Sequence, residues 1–219
     1  MKNKLLYAFG SEWFGMAIAT LAVAQVFFLV SRYLERLTLK YIGEIFFYLG
    51  IIIFVVIFVL WSLRGLTIHD KKWSHWNSLT RLSFIALIPI ISFVINHILI
   101  DLYGITSLMA TLSLYNYFFS YFLALILGIL LGYRLYTKEI DKNEINYAII
   151  IPPLSIGTSI FLATPLMGYY HGNTAQAIYF LVLMGLGIFF FLYIFIGSVA
   201  LSGHVSNKPI QIDTRMSPS

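Results

Sequence analysis

Three side chains of this sequence could move a proton or hold an ion. His97 and Asp101 are four residues apart, so a helix would place them on one face. His171 falls at the same end once the topology is argued from charge. Two histidines and a carboxylate could bind zinc or serve hydrolysis. They could equally pass a proton in coupled transport, or sit near a helix end because water is within reach there. There is no His-Glu-x-x-His motif, and no Ser/His/Asp arrangement follows from spacing. Interfacial placement within reach of water is the favoured reading of the trio, a proton or anion site at an outer mouth is its functional alternative, and no catalytic residue, metal or cofactor is expected. The absence of Cys removes thiolate nucleophiles, disulfides and Cys-based metal sites together. A second set is polar and repeated: Pro89, Ser92 and Asn96 recur as Pro152, Ser155 and Ser159, all 63 residues later. Steps of three and seven from each proline keep the polar groups on one helical face. Such a face can line a path or can glue helices together, and spacing does not choose between the two.

The elements that carry these residues must lie in a bilayer. The chain has 219 residues, 60% hydrophobic and 11% charged, with a mean hydropathy of +0.87. A soluble domain carries about 25% charged residues, and a chain this apolar cannot clothe itself for water. The net charge of +5 does not point to nucleic acid, because the basic residues sit in short gaps between apolar runs. Crossing a bilayer takes about 20 apolar residues. Stretches free of Asp, Glu, Lys and Arg run over Trp13–Ser31, Ile45–Leu63, Leu82–Ile100, Leu102–Tyr133 and Ile145–Asn207. The last, of 63 residues, holds two spans divided by the turn-formers of Gly168–Thr174. The expectation is one all-α transmembrane domain over 1–219, with spans near 11–31, 43–63, 82–101, 108–133, 146–167 and 175–200.

Orientation follows from the basic residues. Eleven Lys and Arg fall on the side of the termini and three on the other, which places both termini in the cytoplasm. Lys2, Lys4 and Ala22-Val-Ala24 give the first span some look of a signal peptide. Glu12 before the apolar run and the later spans favour an uncleaved helix. Trp73-Ser-His-Trp76 beside Lys71 and Lys72 reads as an interfacial anchor. Glu12 and Glu44 stand at span edges, within reach of headgroups and water.

Spans two and six contain runs with no polar side, Ile51–Leu60 and Ile188–Ile196, which suit helices facing lipid. Spans one, three and five are thus expected inside, arranged with the even spans as three hairpins. Prolines within the odd spans free backbone carbonyls that need protein or a water-filled cavity. The expected lining is Phe14, Gly15 and Thr20, then Pro89, Ser92 and Asn96, then Pro152, Ser155, Thr158, Ser159 and Thr164. It contains no Lys or Arg, so an anion would meet weak, multiple contacts rather than a trap. Gly15, Ala19 and Ala22 form a small-residue stripe best suited to close helix packing.

Several stretches resemble one family. Glu12–Thr20 is similar to the first helix of the tellurite-resistance/dicarboxylate transporter family, which includes malic acid transporters and plant slow anion channels. Ile151–Ser159, with Pro165–Gly168, resembles its fifth helix, and Thr214–Ser219 resembles the lead into its seventh. The resemblance implies ten helices in five hairpins around a central pore, of which this chain holds six helices, so the chain is expected to be incomplete at its C-terminus. Thr214-Arg-Met-Ser217, echoing Thr80-Arg-Leu-Ser83 before span three, points the same way. The resemblance also implies a multi-pass plasma-membrane protein carrying a small anion, a C4-dicarboxylate such as malate or an inorganic anion, and assembly as a homo-trimer. Tellurite resistance is not implied as a direct activity. The pore-plugging phenylalanine of the ninth helix has no counterpart here, and Ser78-Leu79 stands where members often have a His-Pro pair. Two other identities compete with the transporter: a non-transporting membrane subunit or remnant, and an intramembrane enzyme using His97, Asp101 and His171.

Overall fold

A computed structural model describes residues 10–67, 78–137 and 145–207. The Lys71–Trp76 anchor, Lys2 and Lys4, and the Thr214–Ser219 motif lie outside the described residues. Six helices are long and apolar enough to cross a membrane: Ser11–Leu34, Leu37–Leu66, Leu79–Tyr103, Ser107–Thr137, Tyr147–Tyr169 and Asn173–Ser202. Among the described residues there is no strand. In hydrocarbon each backbone N–H and C=O needs a partner inside the protein, and a helix supplies most of them within its own segment.

The helices outrun the charge-free stretches. Span two starts at Leu37 because Lys40 and Glu44 lie within the helix, near its end, where long side chains can reach the interface. Tight turns join successive spans in three places. Glu35 and Arg36 link the first two, with Glu35 in the left-handed region (φ 51°) closing the helix through its N–H to the Ser31 carbonyl. Gly104 (φ 75°) and Gly172 (φ 62°) serve the turns after spans three and five, conformations that cost glycine little.

The third span is interrupted near its start and the fifth near its middle. The third is helical over Leu79–Ile85 and again over Leu87–Tyr103, broken at Ala86. Pro89 has no N–H for the Ile85 carbonyl, and the chain tightens there, Ala86 N–H bonding to Ser83 O at 3.1 Å. The fifth enters through a 3₁₀ turn, Tyr147–Ile150, runs over Ile151–Gly157 and resumes over Ser159–Tyr169. Pro152 and Pro153 occupy its opening turn, where a missing N–H costs nothing.

The third and fifth spans are the most enclosed, with 56% and 50% of their apolar windows buried, against 17% and 22% for the second and sixth. Span three packs on one, four and five; span five packs on three, four and six; span two packs mainly on one. The odd spans thus form an arc, one beside three beside five. Glycines let the first pair close up: a Cβ on Gly43 would meet the Phe28 ring at 2.9 Å and one on Gly50 would meet Leu21 at 2.8 Å.

Candidate functional site

The concave side of the arc bears an open cavity of about 240 Å³. Span one supplies Ile18, Ala22, Gln25 and Val26; span three supplies Ile90, Val94 and His97; span five supplies Thr158 and Phe161. Every lining residue comes from an odd span. The walls are almost wholly apolar, with Gln25, His97 and Thr158 as the polar side chains. The Thr158 hydroxyl donates to the Ser155 carbonyl at 2.9 Å. Gln25 Oε1 and His97 Nδ1 are buried without a hydrogen-bond partner.

The stripe of Gly15, Ala19 and Ala22, expected to pack tightly, does not. A Cβ on Gly15 would meet nothing within 4 Å, Ala19 and Ala22 are exposed, and Ala22 lines the cavity. The buried face of span one is instead Phe14, Ala17, Leu21, Ala24 and Phe28. The small side chains keep the concave side open rather than closing a helix pair.

His97 stands at one end of this cavity, its ring 6.1 Å from that of Phe161. Its Nε2 lies 3.4 Å from Asp101 Oδ2, and the same oxygen accepts from Arg32 Nη2 at 2.5 Å. Arg32 and Asp101 belong to a second, more polar cavity of about 220 Å³, which Ser31, Lys40, Phe28 and Leu102 complete. The hydroxyls of Tyr48 and Tyr103 meet between spans two and three. His171 is exposed in the turn after span five. Among the described residues no three His, Asp or Glu side chains group closely enough to hold a metal ion, so His171 does not complete a ligand set with the pair.

The other sequence-predicted positions are placed as follows. Ser92 Oγ donates to Asn116 Oδ1 at 2.6 Å, Ser113 Oγ donates to Asn96 Oδ1 at 3.2 Å, and Asn96 Nδ2 donates to the Ser92 carbonyl at 3.0 Å. Ser120 Oγ adds a 3.4 Å bond to Asn116 Oδ1 within span four, while the Ser92–Asn116 and Ser113–Asn96 bonds form a polar seam that ties span three to span four. Phe14 is buried, its ring 6.0 Å from Phe54 and 5.8 Å from Trp61 of span two. Pro89, Pro152, Ser155 and Ser159 are buried, and Ser155 Oγ donates to the Pro152 carbonyl at 2.9 Å. Thr20 and Thr164 turn back on their own helices, to Met16 O and Ile160 O. Of the predicted lining, Thr158 borders the cavity, joined by His97 from the predicted outer site.

Gln25 and Arg32 were not among the predicted site residues. A signal for Gln25 was present: extending the stripe 15–19–22 by one more turn arrives at it. For Arg32 no local signal existed, because its partner is 69 residues away.

No curated protein matches this chain. Residues 8–218, which include every span and both cavities just described, match the family model SLAC1, voltage-dependent anion channel. The chain belongs to that family.

Proposed function

We propose that this multi-pass membrane protein carries small anions along the concave side of its odd-span arc. The family is one of anion channels and transporters, not enzymes. The observation that carries the path's location is that all nine residues lining the 240 Å³ cavity belong to spans one, three and five. No Lys or Arg lines it, so no fixed cation would hold a passing anion there. The Arg32–Lys40–Asp101 cavity supplies the charge at the mouth instead. By the basic-residue bias that mouth is external and both termini are cytoplasmic. Further protein, a second copy included, covers the open side of the arc. The cargo is a C4-dicarboxylate or an inorganic anion, and the membrane is the plasma membrane.

Cysteine accessibility tests the path, since the sequence has no native Cys. Single cysteines at Ala22 and Val94 react with a water-soluble thiol reagent in intact membranes, whereas those at Val56 and Phe191 stay unlabelled. Excess nitrate or malate slows only the first pair. Equal labelling at all four positions would remove the path from the arc.

A further inference from the structure

We infer that the polar cavity at the Asp101 end binds the phosphate of an anionic phospholipid, held between Arg32 and Lys40. Unlike the concave cavity, this one has cations on its wall. Ser31 and Arg32 come from the last turn of span one, Lys40 from the first turns of span two, and Asp101 and Leu102 from the end of span three. The ends of three spans thus meet at the depth where headgroups lie. The sequence also concentrates charge here. On the side away from the termini the Lys and Arg residues are Arg32, Arg36 and Lys40, all around the turn between spans one and two, and the turns after spans three and five have none. Two of those three line the one cavity.

The charges on that wall do not cancel. Asp101 Oδ2 accepts from Arg32 Nη2 at 2.5 Å and has His97 Nε2 at 3.4 Å, so its charge is already engaged. Lys40 is half-buried and forms no ion pair among the described residues, although Glu44 stands one helical turn further on. Neither Glu35 nor Glu44 lines the cavity. Two cations therefore face one carboxylate, and one more negative charge balances them. The Ser31 hydroxyl donates to the Arg36 carbonyl at 3.0 Å, which leaves the Lys40 ammonium and the remaining N–H groups of Arg32 as donors. Both suit a phosphate oxygen. A volume of about 220 Å³ equals several waters of about 30 Å³ each, room for a phosphate and the glycerol it esterifies. Phe28 and Leu102 give the cavity an apolar side, which rewards a ligand that brings hydrocarbon with its charge. Span two, which brings Lys40, is the least enclosed span, with 17% of its apolar window buried, so a lipid can reach the site from the bilayer. The lipid site does not depend on the anion-carrying role; where both hold, a bound headgroup offsets the charge that the mouth offers an approaching anion.

Three probes test it on the purified full chain in neutral detergent: short-chain phosphatidylglycerol, short-chain diacylglycerol, which lacks the phosphate, and inorganic phosphate, which lacks the chains. Native mass spectrometry should count one tightly held phosphatidylglycerol, with diacylglycerol and phosphate retained far more weakly. Lys40→Gln strips no ion pair, and it should weaken phosphatidylglycerol binding about tenfold or more. Arg36→Gln removes an equal charge from the same turn but off the cavity wall, and should weaken it less than about fivefold. Equal losses in the two variants would reduce the site to diffuse surface charge and overturn the proposal. So would inorganic phosphate bound as tightly as the lipid, which would make this a site for free anions. Should Lys40→Gln fail to fold, the three probes on the unaltered chain decide, and diacylglycerol held as well as phosphatidylglycerol would remove the phosphate from the account.

Discussion

At the scale of single residues, Gln25 is half-buried beside an almost wholly apolar cavity, with its Oε1 lacking a hydrogen-bond partner. Replacing it with Leu removes an unpartnered buried amide from an apolar cavity. Chemical unfolding in detergent should show Gln25→Leu as stable as the parent or more so, by up to about 1–2 kcal/mol, while anion flux into proteoliposomes falls. A loss of both would mean the amide is structural. Asn116 has its Oδ1 partnered, although its Nδ2 is buried without a partner. It accepts from Ser92 and Ser120, so Asn116→Leu strands two hydroxyls between spans and should cost about 1 kcal/mol in the same assay. The sequence made the Ser92–Asn96 face visible but not its neighbour. A periodic stripe names the side of a helix, and only packing decides whether that side meets another helix or open space.

At the scale of elements, the turns and breaks set where side chains sit. Glu35 holds a left-handed conformation that suits glycine better, with φ at 51°. Glu35→Gly should raise stability by roughly 0.5–1 kcal/mol, read from the unfolding midpoint. At the fifth span the limit is space. A Cβ on Gly157 would meet the Phe189 ring at 2.9 Å, so Gly157→Ala should push spans five and six apart and cost about 1–3 kcal/mol. Helix number was legible because charge, and in the last stretch the turn-formers of Gly168–Thr174, punctuates the apolar runs, and Pro89 announced its own break. Helix ends were less so, because Lys40 and Glu44 stay helical at the edge of span two. The stripe of Gly15, Ala19 and Ala22 misled for a related reason: small residues let helices approach, but they also leave room when nothing approaches.

At the scale of the whole molecule, an even number of spans together with the distribution of Lys and Arg predicts that both ends of the chain face the cytoplasm. Epitope tags at the two ends should both be hidden from antibody in intact cells and both appear on permeabilisation; tags exposed without it would invert the orientation and exchange the two mouths. The arc itself is stitched at the Asp101 end by a contact between distant parts of the chain. Arg32 and Asp101 are 69 residues apart. At about 5–20 residues per second, synthesis delivers the carboxylate on the order of 3–14 seconds after the arginine. During that interval the first hairpin must hold its basic end at the headgroups unaided. The bond that closes the mouth is thus written late, and the first pair of helices waits in the bilayer for the third to arrive.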